Sequence, residues 1–222
     1  MRWVERPYDE RFTRWSAVWS TVWVVSALAM WFKVIPGFPG GLLLILLFWR
    51  PLLDSVRGAA SRIRPTVRAT LTTFLIALTA GVLMQSFVDP LLASLFGIDR
   101  LSSANTQWAT NFLKDAPVLA TVLFVVLGPL GEELSYRYGL FRLISRFSVI
   151  AGHLVTALVF ALQHVVVGWL SGAPEQLLLM PGHAVTSAIW TVAYRRTGNL
   201  MVCFGSHLLL NALGVTFMFL NG

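Results

Sequence analysis

The sequence predicts an all-α, polytopic membrane protein: a bundle of apolar helices joined by short basic or polar loops. Three observations carry that prediction. Of the 222 residues, 56% are hydrophobic and 12% charged, and soluble domains carry about twice that charged share. Mean hydropathy is +0.71. Apolar runs of about 20 residues, the length that crosses a bilayer core, recur along the chain. The formal charge of +7 sits mostly in arginines between those runs. That placement reads as topology and contact with anionic lipid rather than as a nucleic-acid surface. The single cysteine, Cys203, lies in an apolar segment, so there is no internal disulfide and no cysteine-based metal cluster.

Seven spans are expected. The first covers roughly Trp15 to Phe32, preceded by Arg2, Arg6, Arg11 and Arg14. The arginines resemble the start of a signal peptide, but the run is long and Val34-Ile35-Pro36-Gly37 offers no small-x-small cleavage site. A Pro-Gly turn over residues 36–40 follows. Gly41 to Trp49 is apolar but short, and spans only if Pro51 to Leu53 join it and Arg50 snorkels. Asp54 to Arg68, with Arg57, Arg62, Arg64 and Arg68, reads as a cytoplasmic, membrane-skimming loop. Span three runs from Ala69 to Val88, stopped by Asp89-Pro90. Leu91 to Asp115 is mixed and suits the outer side.

Span four starts near Ala116-Pro117 and runs through Glu132-Glu133 towards Arg137. Span five is about Val149 to Leu170, span six Glu175 to Tyr194, and span seven Leu200 to Leu220. Lys and Arg counted in alternate loops place the N-terminus inside and the C-terminus outside. With the second segment merely re-entrant, the count falls to six and the N-terminus moves outside. The chain reads as one membrane domain over 1–222, placed in the plasma (inner) membrane. No internal repeat is visible, and repeated halves are what many transporters build their midplane sites between.

Ionisable groups inside hydrocarbon cost several kcal/mol and need a reason. Here they cluster between Glu132 and Asn211. Glu132 and Glu133 point about 100° apart on a helix, and Glu133 is one turn before Arg137, the favoured order for a pair. That leaves Glu132 free to face a cavity as a general base. Pro129 removes one helical hydrogen bond and frees a carbonyl one turn back. Phe160 and His164 share one face of span five; His207 and Asn211 share one face of span seven. Asn offers an amide donor, and His can donate or bind metal according to tautomer. Glu132, His164 and His207 all lie within about two turns of mid-span, so neighbouring helices can bring them together. His183, after Pro181-Gly182, is a further candidate for lining the same cavity; His153 reads as interfacial.

Glu-Glu-x-x-x-Arg, then Phe-x-x-x-His, then His-x-x-x-Asn, each on its own membrane helix, resembles the CPBP family. These are the type II CAAX prenyl endopeptidases with their Abi and lysostaphin-resistance-like relatives. The matching positions are Glu132, Glu133, Arg137, Phe160, His164, His207 and Asn211. The resemblance covers about 118–220 and makes 116–221 the catalytic core, with 1–100 as accessory spans. It implies intramembrane hydrolysis of a peptide bond in a membrane-embedded peptide or lipidated protein. Glu132 would activate water with help from His164. His207 and Asn211 would stabilise the oxyanion, with Glu133, Arg137 and Phe160 in support. Zinc on Glu132, His164 and His207 is one form of that chemistry; a metal-free glutamate mechanism is the other, since no His-Glu-x-x-His helix is present. A non-catalytic scaffold or immunity protein of the same fold and a proton-coupled transporter are the rival functions.

Overall fold

The computed structural model describes Leu46, residues 49–99 and residues 101–221, and the secondary structure over them is helical throughout. The first expected span, the Pro-Gly turn and most of the second apolar segment lie outside the described residues. Helix α1 covers Trp49–Ala60 and α2 Ile63–Leu95, the latter taking in a wide π turn at Met84–Val88. Helix α3 is Ala104–Asp115 and α4 is Pro117–Ser145. Helix α5 is Val149–Leu170, α6 Met180–Thr197 after a 3-10 turn at Pro174–Leu179, and α7 Leu200–Asn221. Five of these helical stretches (α2, α4, α5, the 3-10 turn with α6, and α7) are long and apolar enough to cross a membrane. The protein is an all-α polytopic bundle.

Two boundaries differ from expectation. Asp54 to Arg68 is helical apart from the turn at Ser61-Arg62, because its arginines and alanines favour helix and Pro65 falls in the first turn of α2, where its missing N–H is not needed. Its four arginines remain exposed. Span three does not stop at Asp89-Pro90 but continues to Leu95. Pro90 lacks the N–H that would serve the carbonyls of Ser86 or Gln85, and both lie in the π turn just before it. A local widening lets the helix pass the proline instead of ending at it.

Packing follows the membrane rule of small residues inside and large apolar ones outside. On α2, Ala69, Thr73 and Ala77 are buried at four-residue intervals, whereas Leu71, Leu75 and Ile76 are exposed. That small stripe admits α7 and α6. A Cβ on Gly205 would stand 2.9 Å from the Thr70 methyl, so only glycine permits this approach of α7 to α2. The core proper gathers Leu134, Tyr136, Phe141, Phe160, Trp190 and Tyr194 from α4, α5 and α6.

The ends of the helices are set by side-chain caps. Ser148 Oγ accepts the Ala151 N–H at the start of α5 at 3.2 Å, and Asn199 Oδ1 accepts the Met201 N–H at the start of α7 at 2.8 Å. Short links join α4 to α5 and α6 to α7, and the Phe141 and Tyr194 rings meet 6.3 Å apart near those links. One end of the bundle therefore carries Arg142, Arg146, Arg195 and Arg196 together with the arginines at the start of α2. Asp99, Lys114, Asp115 and Glu175 fall at the other.

Candidate active site

Helix α4 is built to aim its glutamates. Its turn at Val122–Leu127 is π, so the Gly128 N–H reaches back five residues to the Leu123 carbonyl. A Cβ on Gly128 would lie 2.9 Å from that oxygen, which makes glycine the residue that fits. In the same register the next donor would serve Phe124, but the next residue is Pro129, which has none. Phe124 O is instead satisfied from α7: the Asn211 amide donates to it at 2.9 Å. Asn211 thus repairs the bond that the proline removes and ties α7 to α4 just before the glutamates. A second π turn, Leu134–Phe141, carries Arg137.

The two carboxylates diverge as their spacing requires, yet one imidazole touches both. Glu133 and Arg137 are fully buried, with Arg137 Nη1 donating to Glu133 Oε1 at 3.2 Å. His207 Nδ1 donates to the same oxygen at 2.9 Å. On the far side of the ring, His207 Nε2 lies 3.6 Å from Glu132 Oε2. His164 Nε2 stands 3.9 Å from Glu132 Oε1, and its Nδ1 donates to the Phe160 carbonyl at 2.8 Å.

A carbonyl and a carboxylate can only accept, so Nδ1 carries the proton in both rings. In the neutral forms both Nε2 lone pairs face Glu132. Separations of 3.6 and 3.9 Å are too long for direct hydrogen bonds and suit a shared water. Glu132 is 22% exposed and His164 15%, against 3% for His207, so access comes from the side of Glu132 and His164.

The structure brings together Glu132, His164 and His207, with Glu133 and Arg137 behind them. Phe160 lies beneath: its ring is 4.5 Å from His164, and the Arg137 guanidinium stands 5.1 Å from its centre. Asn211 donates to the α4 backbone, at the Phe124 carbonyl, and not to Glu132. His183 stacks on His164 at 4.5 Å, while His153 donates to Val149 O away from the centre.

Three contributors escape the motif reading. Gln163 Nε2 donates to Glu132 Oε1 at 3.2 Å. Ser187 accepts from Arg137 Nη2 through both its hydroxyl, at 2.9 Å, and its carbonyl, at 3.1 Å. Trp190 stacks on His207 with ring centres 3.9 Å apart. Gln163 adjoins His164 in an apolar run, and Ser187 is one turn after His183, which are legible signals. Trp190 is one of nine tryptophans, with nothing in its spacing to mark it.

The donor types at the centre suit zinc, and each imidazole has its Nδ1 anchored as metal-binding histidines do. Yet no group of three or more His, Cys, Asp or Glu side chains among the described residues is arranged to hold a metal ion. The site as it stands is a carboxylate faced by two imidazoles and backed by a buried ion pair.

Comparison with known proteins agrees with the motifs. No curated protein and no solved structure gives a match to the chain. Residues 114–213 match the family of type II CAAX prenyl endopeptidases, Rce1-like, a membrane-protease family. That stretch runs from the end of α3 to the last turns of α7 and contains every residue of the glutamate–histidine centre. Over this stretch, a little under half of its length, the chain is similar to the Rce1-like type II CAAX prenyl endopeptidases, in line with its CPBP-like motifs.

Proposed function

We propose that the protein is an intramembrane endopeptidase in which Glu132 activates water against a peptide bond. The observation that carries the reading is the convergence of His164 Nε2 and His207 Nε2 on the Glu132 carboxylate, within 3.9 and 3.6 Å. The substrate is a membrane-associated or lipidated peptide, the class that the family match suggests. The home we assign is the plasma (inner) membrane. The arginine-bearing end of the bundle faces the cytoplasm and anionic headgroups, as positive-inside topology requires.

The steps follow from the side chains. A water donates one hydrogen to Glu132 and the other to the His164 Nε2 lone pair, which leaves an oxygen lone pair for attack. Glu132 takes the proton as the new C–O bond forms, and the carbonyl oxygen becomes an oxyanion. His207, in its doubly protonated form between the two glutamates and with Nδ1–H held by Glu133, donates from Nε2–H to that oxygen, and the remaining Asn211 N–H is its partner. The C–N bond then breaks, and the proton on Glu132 passes to the leaving amine. General-base action of this kind contributes about 10²–10⁴-fold. Zinc on Glu132, His164 and His207 would supply Lewis-acid activation of the same water; the steps above use the side chains alone.

The test compares protein termini in membranes of cells carrying wild type or Glu132→Gln at matched levels. Peptide ends present only with the wild type support proteolysis and nominate substrates. Identical termini, with both proteins expressed and substrates detectable, would turn the reading to a scaffold whose glutamates are structural.

A further inference from the structure

His207 is the hinge of the centre, since its two nitrogens face two different glutamates. One hydrogen bond cannot hold that arrangement. The contact from Nδ1 to Glu133 Oε1 fixes a single edge of the imidazole, and the ring can still swing about that line and carry Nε2 away from Glu132. A second constraint has to act on the face of the ring.

We propose that Trp190 supplies it and is a positioning residue for His207, itself locked by Ser206. The indole is only 2% exposed and lies nearly parallel to the imidazole, at 22° and 3.9 Å between centres. Its Nε1–H donates to Ser206 Oγ at 3.0 Å, the residue immediately before His207 on α7. Its backbone carbonyl accepts from Cys203 Sγ at 3.1 Å, one turn earlier on the same helix. Trp190 is therefore bonded at both backbone and side chain to the helix that carries His207, and it moves with that helix. The Arg137 guanidinium stands 5.3 Å from the indole centre, so the same ring also borders the cation that pairs with Glu133.

Stacking blocks rotation of the imidazole out of its plane, and the Glu133 bond blocks rotation within it. Together they fix where Nε2 points. A phenyl ring keeps the stack but loses the Ser206 anchor; an aliphatic side chain loses both. Trp190 touches no reacting atom in this scheme. It acts through His207, and the inference rests on the proposed role of His207 as donor to the oxyanion.

The experiment uses the full-length protein in detergent and a synthetic peptide spanning the bond of the most abundant Glu132-dependent terminus. Trp190→Leu is expected to lower kcat about 10- to 100-fold, as misplacement of a reacting group does, with KM unchanged. Trp190→Phe should restore most of that loss, and Ser206→Ala should show a milder defect of the same kind. In histidine-labelled protein, the His207 ring protons, assigned with His207→Gln, should lie upfield under the indole ring current. They should return towards ordinary positions in Trp190→Leu. Wild-type kcat in Trp190→Leu, with Glu132→Gln inactive on the same peptide, would overturn the positioning role and leave the proteolytic reading standing. His207 signals without an upfield displacement would overturn it as well. If no terminus depends on Glu132, the proteolytic reading itself fails and takes the inference with it.

Discussion

Replacing Arg137 by alanine should cost more stability than any other single change at the centre. Arg137 is fully buried and gives one N–H to Glu133 and two to Ser187, and it lies against the faces of Phe160 and Trp190. Removing it leaves Glu133, with no exposed surface, hydrogen-bonded among the described residues to His207 alone. Breaking a buried pair by deleting one partner costs about 3–5 kcal/mol. For a chain of this size each kcal/mol moves Tm by about 2–4 °C, so the midpoint should fall by roughly 10 °C. The assay is built into the sequence: the lone cysteine, Cys203, is buried, so a thiol-reactive dye reports unfolding alone.

The double variant Glu133→Gln/Arg137→Ala removes the stranded carboxylate and should recover part of the loss, a coupling of at least about 1 kcal/mol for contacting residues. An Arg137→Ala midpoint within about 2 °C of wild type, on the same size scaling, would mean that the pair carries no net stability. A double variant no better than the single one would show that the cost lies in packing rather than charge.

Asn211→Ala should destabilise by about 1–3 kcal/mol, the cost of leaving the part-buried Phe124 carbonyl unpaired, and should slow turnover. Thermal unfolding of Asn211→Ala/Pro129→Ala tests the cause, because an N–H at position 129 can serve that carbonyl again and should restore the midpoint. Treatment with a zinc chelator should leave cleavage of the Glu132-dependent peptide within about twofold. Loss of activity that returns on adding zinc would move the water onto a metal held by Glu132, His164 and His207, with the imidazole Nε2 atoms as ligands.

Spans three to seven were legible because each is a long apolar run, and hydropathy depends only on composition over a window. Their internal geometry was not. Pro90 reads as a stop by local rules, and only tertiary packing shows that a π turn carries the helix past it. The centre was legible where residue type and helical spacing coincide, as with Glu133 and Arg137 or Phe160 and His164. Spacing could not show that His207 bridges both glutamates, since that depends on how α7 lies against α4. Asn211 is the instructive case. Its spacing from His207 puts both on one helix face and the family resemblance made both oxyanion donors, but the structure gives one of its hydrogens to the Phe124 carbonyl. Pro129 announced an orphan acceptor in the sequence, but a π register moved it from one turn back to five residues back, and no local signal marks that shift.

The wide turns on either side of Glu132 and Glu133 make the aim of the pair a matter of residue count. Each turn holds more chain than an α turn of the same rise. Taking one residue from Val122–Leu127 would rotate everything after it by about 100° relative to everything before it. The carboxylates would then swing off the imidazoles with every side chain of the motif intact. In a helix built this way, insertions and deletions change the site more than substitutions do. Two such chains aligned with a one-residue gap between Val122 and Leu127 would be matching faces about 100° apart on the same helix while their motifs read as identical.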